Sequence, residues 1–128
     1  MTMEVTRYAT EVTAVGALVP DFVEQQILVF FSDAAPEELH DFSVLHHPTV
    51  AKSGLTTGDE VVIDGTTMRV LSVGDLAEQN LLALGHLNLK ANGASQAPLP
   101  GDVCVEARAL PIPRPGSKLW ITGTLTPP

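Results

Sequence analysis

Two adjacent histidines stand in the apolar run SVLHHPTV, Ser43 to Val50, and the chain has only 4 histidines in all. Near its ordinary pKa of about 6.5 an imidazole is largely neutral in a cytosol, and one ring nitrogen keeps a free lone pair. Three roles suit such a residue: metal ligation, a hydrogen-bonded place in a core, or attack on phosphorus with the phosphoryl group then carried covalently. Spacing bears on the first. Successive side chains along a strand point to opposite faces, so Val44, His46 and Pro48 share one face and Ser43, Leu45 and His47 the other. A chelating pair on one strand needs i and i+2, and neither CxxC nor HExxH accompanies these histidines. No metal is expected, and no cofactor. The core and phosphoryl-carrier readings both stay open on the residues alone.

A phosphoryl-carrying imidazole needs donors for the phosphoryl oxygens and an orienting partner on its second nitrogen. His86, Ser43, Lys52 and Ser53 are the candidates. Neither GxxxxGK[ST] nor GxGxxG occurs. A partner must therefore hand over any phosphoryl group, since no conventional loop is present to take it from a nucleotide. A GxSxG elbow for a Ser-His-Asp hydrolase is missing too.

The elements that must position these residues are mostly short strands. Gly and Pro, 10 of each, fall between β-branched runs. Strands are expected at Glu4 to Val15, at Gln25 to Ser32 (buried on both faces), at SVLHHP, at HLNLKAN, at DVCVEAR and at KLWITGTLT, which Pro127-Pro128 ends. EVVIDGTTMRVLSVG reads as a hairpin turning at Asp64-Gly65, a pair that tolerates positive φ. GALVPD reads as a connection and KSGLTTGD as a loop. DAAPEELHDF reads as a short helix with Pro36 at its first position and His40 toward solvent. DLAEQNLLALG reads as a second, with Asp75 and Glu78 forming a capping box, Ala77, Leu81 and Leu84 on one face, and Gly85 ending it. The expected fold class is mainly β: a small closed or partly open antiparallel β-barrel of about six to seven strands with two short helices.

Length and charge narrow the function. The chain has 128 residues, fitting a single domain over 1–128, and 45% are hydrophobic against 17% charged, a globular balance. Seven basic residues against 15 acidic ones give a net charge of −8. Nucleic acid and anionic membrane, which need a basic footprint, are poor partners. The one cysteine, Cys104, cannot form an internal disulfide and sits between valines in a packing position. MTMEVTRYATEV is not built like a signal peptide, and no apolar run approaches the ~20 residues of a membrane helix. A cytoplasmic location without direct membrane insertion is expected.

VGDLAEQNLLALGHLNLKANG, preceded by the hairpin and by FSVLHHP, resembles the glucitol/sorbitol-specific enzyme IIA component of the bacterial phosphoenolpyruvate-dependent sugar phosphotransferase system. The likeness runs from TAVGA to PGSKLW, and its most specific element is S-V-G-x-x-A-x-x-N-L-x-x-L-G-H, Ser72 to His86. The resemblance implies a histidine phosphocarrier, a phosphotransferase that accepts a phosphoryl group from HPr. It would pass the group to a cysteine of the IIB portion of a permease whose IIB and IIC components take up the polyol. It implies His46 as the phosphorylated residue and His86 as the second site residue. His47, Ser43 and Lys52 stand as binding candidates. Family members carry another histidine two residues on; here Pro48 is there and a histidine sits at 47, so His47 is the alternative acceptor. Two partners must each reach the ring, so a surface site is expected, with an apolar collar from Phe42, Val44 and Leu45 and an acidic surface steering a positively rimmed partner. The alternative from another class is a non-catalytic small β-barrel, regulatory or binding, that no longer carries phosphate.

Overall fold

The computed structural model describes residues 3–53 and 55–125; Gly54 of the KSGLTTGD loop and the closing Pro127-Pro128 lie outside them. Along the chain β1 (Met3–Val15) leads to α1 (Val19–Glu24), β2 (Ile27–Ser32), a 3₁₀ helix (Glu37–Phe42) and β3 (Val44–Ala51). Then come β4 (Glu60–Ile63), β5 (Thr66–Val73), α2 (Ala77–Leu84), β6 (Leu87–Lys90), β7 (Asp102–Val105) and β8 (Lys118–Leu125). The strands close into a barrel in the order β1-β3-β2-β6-β7-β5-β4-β8. Inward positions repeat every second residue, as the pleat requires. Tyr8 and Val12 of β1, Leu28 and Phe30 of β2, Val61 and Ile63 of β4, Met68 and Val70 of β5, and Leu87 and Leu89 of β6 are all buried. Ala77 and Leu81 of α2 join them in the core.

The mainly-β closed barrel agrees with the sequence, with two corrections. The described residues hold eight strands rather than six or seven: each of the segments read as strand joins the barrel, the four-residue β4, β6 and β7 included, and each of these three pairs on both sides. The barrel is also not purely antiparallel, since β2 pairs with β3, and β6 with β7, in parallel. Each parallel pair needs a crossover. Residues 33–43, with the 3₁₀ helix, supply the first, and the loop 91–101 supplies the second.

Local details shift as well. The last three residues of GALVPD open α1, whose only buried residue is Val19, too little to leave a helical period. β2 is not buried on both faces; it alternates, with Leu28 and Phe30 inside. Pro36 precedes the 3₁₀ helix as its N-cap. α2 starts after Leu76 without a side-chain cap, so the Asp75 capping box does not form. His40 is only half-exposed and bonds through Nε2 to the Ala35 carbonyl at 2.9 Å. The β4–β5 hairpin turns as expected, with Asp64 at φ 46° and Gly65 at φ 86°. Cys104 is buried.

One buried polar cluster ties the second parallel pair together. Asp102 is fully buried and accepts from Lys90 Nζ at 2.8 Å, Asn88 Nδ2 at 2.7 Å and the Leu99 amide at 3.1 Å. Both carboxylate oxygens are used, and the crossover loop is held to the sheet. Removing the carboxylate leaves the largely covered Lys90 ammonium without its counter-charge. Asp102→Ala is expected to destabilise the fold by about 3–5 kcal/mol, measured by urea unfolding at pH 7.

Candidate functional site

The end of β2 positions the site. In the parallel β2–β3 pair Ser32 lies opposite His46. On the other side of β2, Phe30 lies opposite Leu87 of β6, so the α2–β6 turn with Gly85 and His86 arrives beside the same strand end. His46 therefore has β1 on one flank and the α2–β6 turn within reach across β2.

His46 points into the barrel and is 1% exposed. Tyr8 and Phe30 meet its ring edge-on, with centroids 6.4 and 5.9 Å away. Nδ1 lies 2.6 Å from Thr10 Oγ1, and Nε2 lies 2.7 Å from the Gly85 carbonyl oxygen. A carbonyl only accepts, so Nε2 carries the proton and Nδ1 accepts from the Thr10 hydroxyl. Burial draws the His46 pKa below its usual 6.5, against the opposing pull of the Gly85 carbonyl and of Asp33. The resting ring is thus neutral and fully hydrogen-bonded. Tyr8, in the same cage, is pushed up to about 12 by burial and stays protonated.

Gly85 is required where it stands. It ends α2 in the left-handed region at φ 63°, ψ 15°. A Cβ there would lie 2.7 Å from the Ser32 amide nitrogen and 3.1 Å from His46 Nε2. Only a bare Cα lets the turn press its carbonyl against the imidazole.

The remaining candidates divide. His86 follows Gly85 and is half-exposed; its ring stacks on Phe31 at 4.2 Å and its Nδ1 donates to the Phe30 carbonyl at 3.3 Å. The Gly85 backbone thus links His86 to His46, and no hydrogen bond joins the two rings among the described residues. His47 points outward with its side chain 71% exposed, and its Nδ1 is 3.7 Å from Asp33 Oδ2. Ser43 is buried and its hydroxyl donates to the Leu39 carbonyl at the end of the 3₁₀ helix, so it does not reach the imidazole. Lys52 is exposed beyond β3, six residues from His46, or about 20 Å of extended chain. Its amide and that of Ser53 bond the Arg7 carbonyl at 3.0 and 3.3 Å. Lys52 and Ser53 lie apart from the site. Among the described residues no three His, Cys, Asp or Glu side chains gather as a metal set. No described helix is long and apolar enough to cross a membrane.

Residues 7–120 match the family model described as the glucitol/sorbitol-specific IIA component of the phosphotransferase system (PTS). Two proteins named as PTS system glucitol/sorbitol-specific EIIA component, from Shigella flexneri and Escherichia coli strain K12, are each 35% identical over 115 residues, covering 88% of this chain and 91% of theirs. The chain belongs to the glucitol/sorbitol-specific IIA family. A crystal structure of a PTS IIA component from Enterococcus faecalis V583 has the same fold, with TM-score 0.73 over 87% of this chain and 96% of that one, at 22% identity.

For this IIA chain two expectations need correcting. The His46 ring is not open at the surface; it is sealed beneath the Gly85 turn. The collar does not form as drawn either: Val44 and Leu45 are buried, and only Phe42 is half-exposed, packed edge-on against Phe22 at 6.2 Å. Three site residues were missed. Thr10 is the inward residue between Tyr8 and Val12, so period-two alternation places it inside, and a buried hydroxyl needs a partner. Ser32 ends β2 opposite His46, a pairing that only the unexpected parallel register creates. The Gly85 carbonyl leaves no trace in the sequence beyond the glycine.

The depressed His46 pKa has a definite stability signature. The unfolded chain takes up the proton near pH 6.5 and the folded chain does so only at lower pH. Stability from this residue is therefore intact above pH 6.5 and is lost as pH falls toward the folded value. Urea midpoints measured from pH 8 to pH 5 should drop below pH 6.5, and His46→Gln should flatten that limb. Nitrogen-15 NMR at pH 7 should report a neutral ring protonated at Nε2.

Proposed function

We propose that this IIA chain, acting as one domain in the cytoplasm, accepts a phosphoryl group from phospho-HPr on His46 and passes it to the IIB cysteine of a glucitol/sorbitol permease. The observation that carries this reading is the ring's own geometry. Its Nδ1 is anchored by Thr10, and its Nε2 meets only one backbone carbonyl, at the turn that closes the family's S-V-G…L-G-H pattern. An imidazole with one nitrogen fixed and neutral at working pH suits in-line attack through the other.

Acceptance requires Nε2 to leave the Gly85 carbonyl and give up its proton. In the reactive tautomer Nδ1 holds the proton and donates to Thr10 Oγ1. The Nε2 lone pair then forms the N–P bond while the donor's bond to phosphorus breaks, its electron pair returning to the donor. Onward transfer reverses the roles, with the cysteine sulfur forming the new bond to phosphorus and Nε2 recovering its pair. Near-balanced bonds leave the protein mainly positioning to do. His86, held against Phe31 next to Gly85, is the second residue, placed to bond a phosphoryl oxygen once the turn opens.

One observation favours a second reading: His47 is exposed and faces the Asp33 carboxylate, which leaves its far nitrogen open to solvent. Incubation with phosphoenolpyruvate, enzyme I and HPr should give an acid-labile, base-stable label. We expect that label to survive in His47→Gln and to vanish, by at least a hundredfold, in His46→Gln. The reverse pattern moves the acceptor to His47. An unlabelled wild-type chain that still binds HPr points instead to a binding module.

A further inference from the structure

Beside the sealed ring lies an apolar groove of about 280 Å³, between the 3₁₀-helix crossover and the last turn of α2. Phe31, Ala35, Pro36, Leu39, Ala83 and Leu84 line it. Ser32, also in its wall, is the β2 residue paired with His46, and Leu84 directly precedes Gly85. The groove thus abuts the turn that covers Nε2. Its wall on the helix side is apolar without being packed: Leu84 is 54% exposed. Helix ends normally turn such leucines inward.

Charge around the groove is one-sided. Asp33, Glu37 and Glu38 are exposed on the crossover. No lysine or arginine occurs between residues 8 and 51 or between 70 and 89, so all 7 lie outside the segments that build the groove and carry His46. By strand pairing, Lys90 of β6 lies opposite Ile27 at the other end of β2, where it is tied to Asp102, and Lys118 of β8 lies opposite Glu11 on the far side of β1. Phosphoryl transfer places negative charge on three oxygens, and sites that handle it ordinarily surround them with cations. This face offers none from lysine or arginine.

We infer that the groove is the docking surface for the phosphoryl donor protein, whose contact face seats an apolar side chain between Leu39 and Leu84 and brings the lysine or arginine that this chain lacks. The inference rests on the carrier reading above and names the partner's chemistry. The carboxylates of Asp33, Glu37 and Glu38 draw that cation in. It then sits at the phosphoryl group in the shared site, as cations supplied in trans do in other phosphoryl transfers. A second copy of this chain does not fit, because it would bring the same carboxylates to the same rim. A donor with the ordinary cation-lined phosphoryl site presents positive charge at its active face, which is the complement this rim requires.

The test is an NMR titration with unphosphorylated HPr, which reads docking whether or not His46 accepts phosphate. Amide shifts should concentrate at residues 31–39 and 82–86. Leu84→Asp and the double variant Glu37→Lys/Glu38→Lys should each weaken binding at least tenfold. Wild-type affinity should fall with added salt, and less steeply in the double variant. Circular dichroism and an unchanged urea midpoint would verify that these surface variants fold. Shifts centred elsewhere, unchanged affinity in both variants, or perturbation of the groove by the IIB domain but not by HPr would overturn the assignment. Labelling of His46 by phospho-HPr, scored separately, decides the carrier reading itself.

Discussion

Everything at the site depends on one buried ring that cannot leave either nitrogen unpaired. An imidazole inside a barrel needs a partner at Nδ1 and at Nε2, because an orphaned polar group there costs about 1–3 kcal/mol. Thr10 from β1 and the Gly85 carbonyl from the α2–β6 turn meet that demand at 2.6 and 2.7 Å. They come from opposite flanks of β3 and β2, so the bonds also fasten three parts of the barrel to each other. The pairing fixes the tautomer. With a carbonyl at Nε2, the resting ring has its lone pair turned toward Thr10. In the carrier reading this state is guarded, because no donor finds a free nitrogen until the turn moves.

The same face is notable for what surrounds the ring. The core side of His46 is aromatic, from Tyr8 and Phe30, and β2, the crossover, β3 and α2 carry carboxylates without lysine or arginine. Aromatic burial keeps the imidazole uncharged, and the acidic exterior repels free phosphate and phosphorylated metabolites. A chain that lets a phosphoryl group in only when a partner brings it benefits from both. Selectivity then comes from withholding the cation as much as from supplying the nucleophile.

Much of the barrel was legible because period-two alternation and turn chemistry are local. The β1, β5 and β6 alternation, the Asp64-Gly65 hairpin and the Gly85 helix stop all follow from residues within a few positions of one another. What was illegible is non-local or very short. α1 buries a single valine, so it leaves no period. The two parallel pairs follow from how crossovers pack, and nothing within β2 or β6 distinguishes a parallel neighbour from an antiparallel one. That gap hid the site, because Ser32 and the Gly85 turn meet His46 only through the parallel β2–β3 register. The strand periodicity did put His46 and His47 on opposite faces. It could not say that the inward ring would find Thr10 and a backbone carbonyl, since an acceptor carbonyl looks the same at every residue. Leu84 was assigned to the buried face of α2 on spacing, yet the helix ends there and the side chain turns out beside the groove.

Burial and reactivity can be reconciled by magnitude. Opening Nε2 breaks one neutral hydrogen bond and exposes the Gly85 carbonyl to water, which replaces its partner. The net cost is on the order of 1–3 kcal/mol. In the carrier reading, at about 1.4 kcal/mol per factor of ten, this cost corresponds to an open ring populated at roughly 1–20% without any partner. A transient protein contact with micromolar affinity supplies about 8 kcal/mol, several times what is needed to hold the turn open. The conformational penalty therefore lowers apparent affinity only by the open fraction. A ring exposed from the start, such as His47, escapes that penalty but lacks a buried anchor for its second nitrogen. It must find its orientation anew in each encounter. In the carrier reading, of the two histidines that the sequence sets side by side, the inward one gives up accessibility for a fixed direction of attack, and the proposed docking groove beside Gly85 is where a partner restores the access.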